Sequence, residues 1–116
     1  LSEAIFNETS FEKADLGYAD LSWTTGRAAL FTGASLAWVR AYGANFRYGN
    51  FTNANVVLGQ MVGVDFSNAN FDGANFEFAD LSQSVLTGTI VTADTNFFDT
   101  RFDEIQNPPS WLKTSK

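Results

Sequence analysis

Large apolar residues recur along this chain at a strict interval of five. Phe66, Phe71, Phe76 and Leu81 set the frame, and stepping by five from Leu1 to Val91 gives nineteen positions, seventeen with a sizeable apolar side chain. Gly26 and Ala41 are the exceptions. Two residues before each centre from Phe6 onward lie eighteen slots, from Ala4 to Thr89, all small and ten of them Ala. The slot immediately before the centre is Asp or Asn in nine of eighteen cases.

Five is the period of neither regular structure. On an α-helix a step of five rotates by about 140°, which scatters the centres around the cylinder. Along a straight strand every odd step flips to the other face. The period works if the chain turns a corner within each unit, so that each centre points inward again. A short extended piece and a corner, repeated, wind a coil around an axis lined by Phe and Leu. The expected core centres include Phe11, Phe31, Phe46, Phe51, Phe66, Phe71, Phe76 and Leu81. Gly33, Gly43, Gly63, Gly73 and Gly88 stand two after a centre, where a corner needs positive φ.

The run ANFRYGNFTNAN, followed by VDFSNANFDGANFEFADLS, resembles the pentapeptide-repeat proteins, whose loose consensus is A(D/N)LXX. The resemblance covers roughly residues 4–102. It implies an all-β fold, a right-handed quadrilateral β-helix with four pentapeptides per coil and about five coils. Characterised members of that family include DNA-mimicking gyrase-binding proteins and signalling or lumenal proteins of cyanobacteria and plastids.

A coil of twenty makes Phe11, Phe31, Phe51 and Phe71 one inward ladder and Leu16, Leu36, Val56 and Phe76 another. Gly26 interrupts the column Phe6, Gly26, Phe46, Phe66, so neighbouring rings should lean into the gap or the chain from Trp23 to Arg27 should bulge. After Val91 the register slips by one residue, and Phe97 and Phe102 become centres with Thr95 and Thr100 in the small slots. A one-residue insertion is expected near Thr92 to Asp94. The expected division is a β-helix over 1–102 and a capping tail over 103–116, in which Phe102, Ile105, Trp111 and Leu112 cover the end of the coil.

Composition removes several function classes. The chain of 116 residues contains no His and no Cys, so imidazole bases, thiolates, disulfides and ordinary zinc sites are absent. A net charge of −6 argues against direct nucleic-acid binding. No stretch is apolar enough to span a membrane. The chain starts at Leu1 without a methionine, and an upstream segment such as a cleaved targeting peptide is expected. That leaves the cytoplasm, the periplasm and the thylakoid lumen open as compartments.

Carboxylates are the remaining acids and bases, yet no two acidic residues are twenty apart. Asp and Asn beside the centres are expected to serve turns. The stretch DFSNANFDGANFE lacks the spacing of a calcium loop, and GANFRYGNF follows corner positions and is no phosphate loop. No catalytic residue, metal or cofactor is expected. A DNA mimic would need a continuous anionic track, whereas the columns Glu12, Thr32, Thr52, Asp72 and Asp20, Arg40, Gln60, Asp80 are mixed.

One outward column is uniformly apolar: Tyr18, Trp38, Leu58 and Phe78. Val57, Tyr42 and Val62 should lie beside it, with Arg40 and Arg47 nearby. Three readings stay open: an interface, a face covered by the terminal PPSWLK segment or by preceding residues, and a plain ladder of stacked side chains. The expected function is a non-catalytic scaffold or protein–protein interaction module. Its candidate interface is Tyr18, Trp38, Arg40, Tyr42, Leu58, Val62 and Phe78. The expected partner is another protein or a second copy, with no small-molecule substrate. The alternative is a DNA-mimicking inhibitor of a topoisomerase such as gyrase.

Overall fold

Every fifth residue from Ile5 to Asp80 makes a single-residue parallel bridge to a residue one coil further on, sixteen bridges in all. The computed structural model describes residues 1–112. Up to Asn70 and Ile90 the bridged partners are twenty apart in sequence, so four ladders run side by side along one axis. Each rung repeats one bonding scheme. The Phe6 N–H donates to the Thr25 carbonyl (2.8 Å), Glu8 N–H to Arg27 (2.9 Å), and Thr25 N–H returns to Ala4 (3.0 Å). The result is a four-sided prism of 38 × 24 × 22 Å.

The sides are numbered here by their core columns. Side 1 carries Leu1, Leu21, Ala41, Met61 and Leu81; side 2 Phe6, Gly26, Phe46, Phe66 and Leu86. Side 3 carries Phe11, Phe31, Phe51, Phe71 and Val91; side 4 Leu16, Leu36, Val56 and Phe76.

Corners follow each centre. The Ala4 N–H donates to the Leu1 carbonyl (2.9 Å), and the same turn bond recurs along the chain. The third residue of every corner from Glu3 to Gly88 has positive φ, the sign a type II turn requires. Five of those eighteen are glycine; the other thirteen, among them Lys13, Trp38 and Leu58, are not. The glycines do sit at left-handed corners, but the left-handed state is imposed at every corner. That state costs an L-residue roughly 1–2 kcal/mol, and the surrounding ladder bonds offset it.

The Asp and Asn residues before the centres supply part of that offset. All nine, and Asn96 after the slip, accept the N–H two residues on: Asp15 from Gly17 (3.0 Å), Asn50 from Thr52 (3.0 Å) and Asp80 from Ser82 (3.0 Å) are examples. These are Asx turns, which hold the chain as it enters each corner.

Inside, Phe31, Phe46, Phe51, Phe66, Phe71, Phe76 and Leu81 are fully buried. Phe31 stacks on Phe51 at 4.9 Å, and Phe71 meets Phe76 edge to face at 4.7 Å. Phe11 is half-buried, because the first coil has described neighbours on one side only. The gap at Gly26 is closed by a leaning ring without a bulge. A Cβ at Gly26 would stand 2.4 Å from Phe6 Cε1, and Phe6 reaches across to Phe46 at 6.4 Å. The bridge between Thr25 and Asn45 stays in register.

The inserted residue lies between Ile90 and Asn96, where the bridge spacing changes from twenty to twenty-one at Asn75 and Asn96. Thr95 and Thr100 fill the small slots and donate their hydroxyls to the Phe71 and Phe76 carbonyls at 2.8 and 2.7 Å. The repeat then stops for a local reason. Stepping on from Phe102 puts Asn107 in the centre slot and Pro109 in the corner slot that needs positive φ, which proline lacks. Trp111 crosses the end of the coil instead. It stacks on Phe97 at 4.8 Å and donates its Nε1–H to Thr89 Oγ1 at 3.0 Å. Ile105 and Leu112 pack on the same core; residues 113–116 of the expected tail lie outside the described residues.

Candidate functional site

Side 1 gathers the residues that the apolar column singles out. Its polar floor is the column Asp20, Arg40, Gln60 and Asp80, joined by the bridges of one ladder. Along one edge, at the corner from side 4, stand Tyr18, Trp38, Leu58 and Phe78. Tyr18 and Trp38 stack in parallel, with centroids 5.9 Å apart and 4° between planes, while 76% and 44% exposed. Leu58 is half-buried. Phe78 packs edge to face on Phe98 of the next coil at 5.8 Å.

Tyr42 and Val62 lie along the opposite edge, so the apolar residues form two rims with the floor between them. Arg40 pairs with Asp20 at 3.5 Å on that floor, and the Tyr42 hydroxyl donates to Gln60 Oε1. Asp20 is held below the usual carboxylate range, first by the Ser22 N–H and hydroxyl and then by the Arg40 charge.

Arg47 does not belong to this surface. It follows Phe46 at the corner diagonally across the prism from Trp38, and it faces Asp65 at 4.0 Å. A separation of nine residues carries the chain around two corners, which linear proximity conceals. Two exposed aromatics join the surface beyond the sequence expectation. Trp23, 63% exposed, lies over Gly43, where a Cβ would stand 2.1 Å from Cζ3 of the indole. With Tyr42, Val62, Gly63 and Gln83 it lines a shallow groove of about 460 Å³. The pair of glycines above Trp23 in its column was the signal for it. Phe98, 59% exposed, is twenty residues after Phe78, and that spacing was the signal for it; the register slip seats it one slot earlier in its own repeat.

The tail does not cover this face as far as it is described, since Trp111 packs on Phe97 at the end of the coil. Arginines also break the acidic columns: Arg40 meets Asp20, Arg47 meets Asp65, and Arg101 meets Asp80 at 4.0 Å. No group of three or more acidic side chains suited to a metal occurs among the described residues. No helix there is long and apolar enough to cross a membrane.

A four-laddered coil with a Phe-lined axis and a corner every five residues defines the class of the right-handed quadrilateral β-helix. The family model for pentapeptide repeats matches eight copies over residues 1–25, 27–56 and 60–88, and the chain belongs to that family. Among solved structures, a pentapeptide repeat protein from the Arabidopsis thaliana thylakoid lumen superposes with a TM-score of 0.74 at 19% identity, covering 76% of this chain and 61% of that one. The chain thus spans about three fifths of that relative's length. Rfr23 of the cyanobacterium Cyanothece 51142 gives 0.55 at 18% identity over 89% of this chain and 83% of its own. QnrB1, a plasmid-mediated fluoroquinolone resistance protein, gives only 0.43 at 17% identity over 79% and 64%, too distant to bear on function. No curated protein matches the sequence.

Proposed function

We propose that this chain, a β-helix of about five coils, is a non-catalytic interaction module that binds another protein through side 1. The observation that carries this reading is the identity of one corner column. Each of the other three contains Gly, Asn or a charged residue at the left-handed position, whereas this one holds Tyr18, Trp38, Leu58 and Phe78. Glycine is the least costly residue there. Four large apolar side chains accept the strained position and face outward, and aromatic residues beside Arg40 have the composition of a binding hot spot. Because the ladder fixes these side chains before contact, little ordering entropy is lost on binding. The gyrase-type alternative needs an unbroken anionic track, which Arg40, Arg47 and Arg101 interrupt.

The test is affinity capture from the source organism, with sedimentation velocity to detect self-association, for wild type and Trp38→Asp side by side. Loss of the captured partner or of self-association in Trp38→Asp, with an unchanged far-UV CD spectrum, supports the reading. Equal capture by both proteins would sink it. Salt-sensitive capture of a topoisomerase that survives Trp38→Asp but not neutralisation of Asp65, Asp72 and Asp80 would establish the rival.

A further inference from the structure

The floor of side 1 continues one rung past Asp80. Its ladder runs Asp20, Arg40, Gln60, Asp80 and Arg101, one residue on each of five successive levels. The charges along it are negative, positive, neutral, negative and positive, so reversing the column exchanges every sign about Gln60. Within the chain they pair as neighbours, Asp20 with Arg40 at 3.5 Å and Asp80 with Arg101 at 4.0 Å, and Arg101 pairs with Asp103 as well. Both arginine side chains are more than half exposed, which leaves each free to meet a second carboxylate.

The two rims have their middle at the same level. Along one, Tyr18, Trp38, Leu58 and Phe78 are followed by Phe98, which packs on Phe78 at the fifth level. Four exposed rings thus flank a central Leu58. Along the other rim the middle level is Val62 and Gly63. A Cβ on Gly63 would meet nothing nearer than the Gly43 backbone at 3.8 Å, so this level offers open space to an incoming surface.

We infer that the partner of side 1 is a second copy of this chain, packed face to face with its coil axis antiparallel and a two-fold axis through Gln60. The inference rests on the reading of side 1 as the binding face and names what binds there. A two-fold interface must be complementary to itself, and this arrangement makes it so. Asp20 faces the partner's Arg101, Arg40 faces the partner's Asp80, and Gln60 meets its own copy. On the rims, Tyr18 meets the partner's Phe98 and Trp38 the partner's Phe78, while Leu58 and Val62 each meet themselves. Charge excludes the neighbouring arrangements. A shift of one level opposes Asp20 to Asp80 or Arg40 to Arg101, and parallel coil axes oppose every charge to itself. Five levels about 4.8 Å apart, on a prism 24 × 22 Å in section, offer roughly 500 Å² per copy. The total of about 1,000 Å² is at the lower end for a specific interface, so the dimer is a reversible one.

Sedimentation equilibrium of the whole chain from about 1 μM to about 1 mM should show monomer and dimer in exchange, with a dissociation constant on the order of 10–100 μM. Asp20→Arg and Arg101→Asp, each alone, should weaken association at least about tenfold with the far-UV CD spectrum unchanged. An equimolar mixture of the two variants should recover association of wild-type strength. In the mixed dimer both contacts are again between opposite charges, so recovery requires the antiparallel register and cannot come from a folding defect. A monomer throughout the range overturns the inference, and the reading of side 1 then rests on Trp38-dependent capture of a different protein. Association that the mixture does not restore also overturns it. A dimer indifferent to both charge reversals and to Trp38→Asp overturns it and places self-association away from side 1.

Discussion

The Phe6 ring occupies the space that a side chain at position 26 would need: a Cβ on Gly26 would meet Phe6 Cε1 at 2.4 Å. One coil's missing centre is thus filled by the centre of the coil below, and Phe6 stays almost fully buried at 9% exposure. Gly26 itself has ordinary φ, so this glycine is required by packing and not by backbone conformation.

Gly26→Ala should therefore destabilise by about 1–3 kcal/mol, as overpacking does, although alanine is otherwise the more favourable residue in ordered structure. Guanidinium unfolding of the single variant, of Phe6→Leu and of the double variant measures the coupling. The two sites should be non-additive by at least about 0.5 kcal/mol. Additive penalties would show that Phe6 is not what excludes the methyl group.

The Asx turns make a second prediction. Asn50 Oδ1 accepts both the Thr52 N–H at 3.0 Å and the Thr52 hydroxyl at 2.6 Å. Asn50→Ala leaves that corner without its acceptor and should cost about 1 kcal/mol. Asn50→Asp keeps the acceptor and should stay within about 0.5 kcal/mol of wild type. Equal losses in the two variants would reject the hydrogen-bond account.

Asp20 gives the sign of one pH effect. Its folded-state carboxyl titrates below its ordinary value, through the Ser22 N–H and hydroxyl first and Arg40 last among the protein side chains that lower it. A lowered folded-state value means that the contribution is present above the ordinary carboxylate range and disappears as pH falls through the folded value. Melting temperature followed from about pH 5 to about pH 2 should fall more steeply in wild type than in Asp20→Asn. Parallel curves would remove Asp20 from the acid limb.

Trp111 protects the upper end of the core, with Phe97 stacked beneath it at 4.8 Å. Trp111→Ala should lower stability by about 1–3 kcal/mol and expose unpaired ladder edges. Light scattering on mild heating should rise earlier than in wild type. Trp111→Phe keeps the stack and loses the bond to Thr89, so it should fall between the two.

Side 1 was only partly legible in the sequence. Tyr18 and Trp38 could be placed together because twenty residues separate them and the coil length follows from the repeat. Phe98 also lies twenty residues after Phe78, but the one-residue insertion gives the left-handed position to Asp99, so only the backbone pairing shows that the two rings meet. Trp23 escaped because its groove is made by the absence of side chains at Gly43 and Gly63. Arg47 was misplaced because distance along a coil with right-angled corners does not map onto distance across it.

By itself the sequence determined the five-residue unit, its inward slots and the turn role of Asp and Asn. All of these are set within a few bonds or by a strict period, so pattern alone carries them. The tertiary structure decided the rest: the lean of Phe6 over Gly26, the left-handed state of thirteen non-glycine corners and the two apolar rims of side 1. Each depends on which coil lies above or below and on what that neighbour leaves unfilled. That is a property of stacking, and it exists only once the coils are closed on one another.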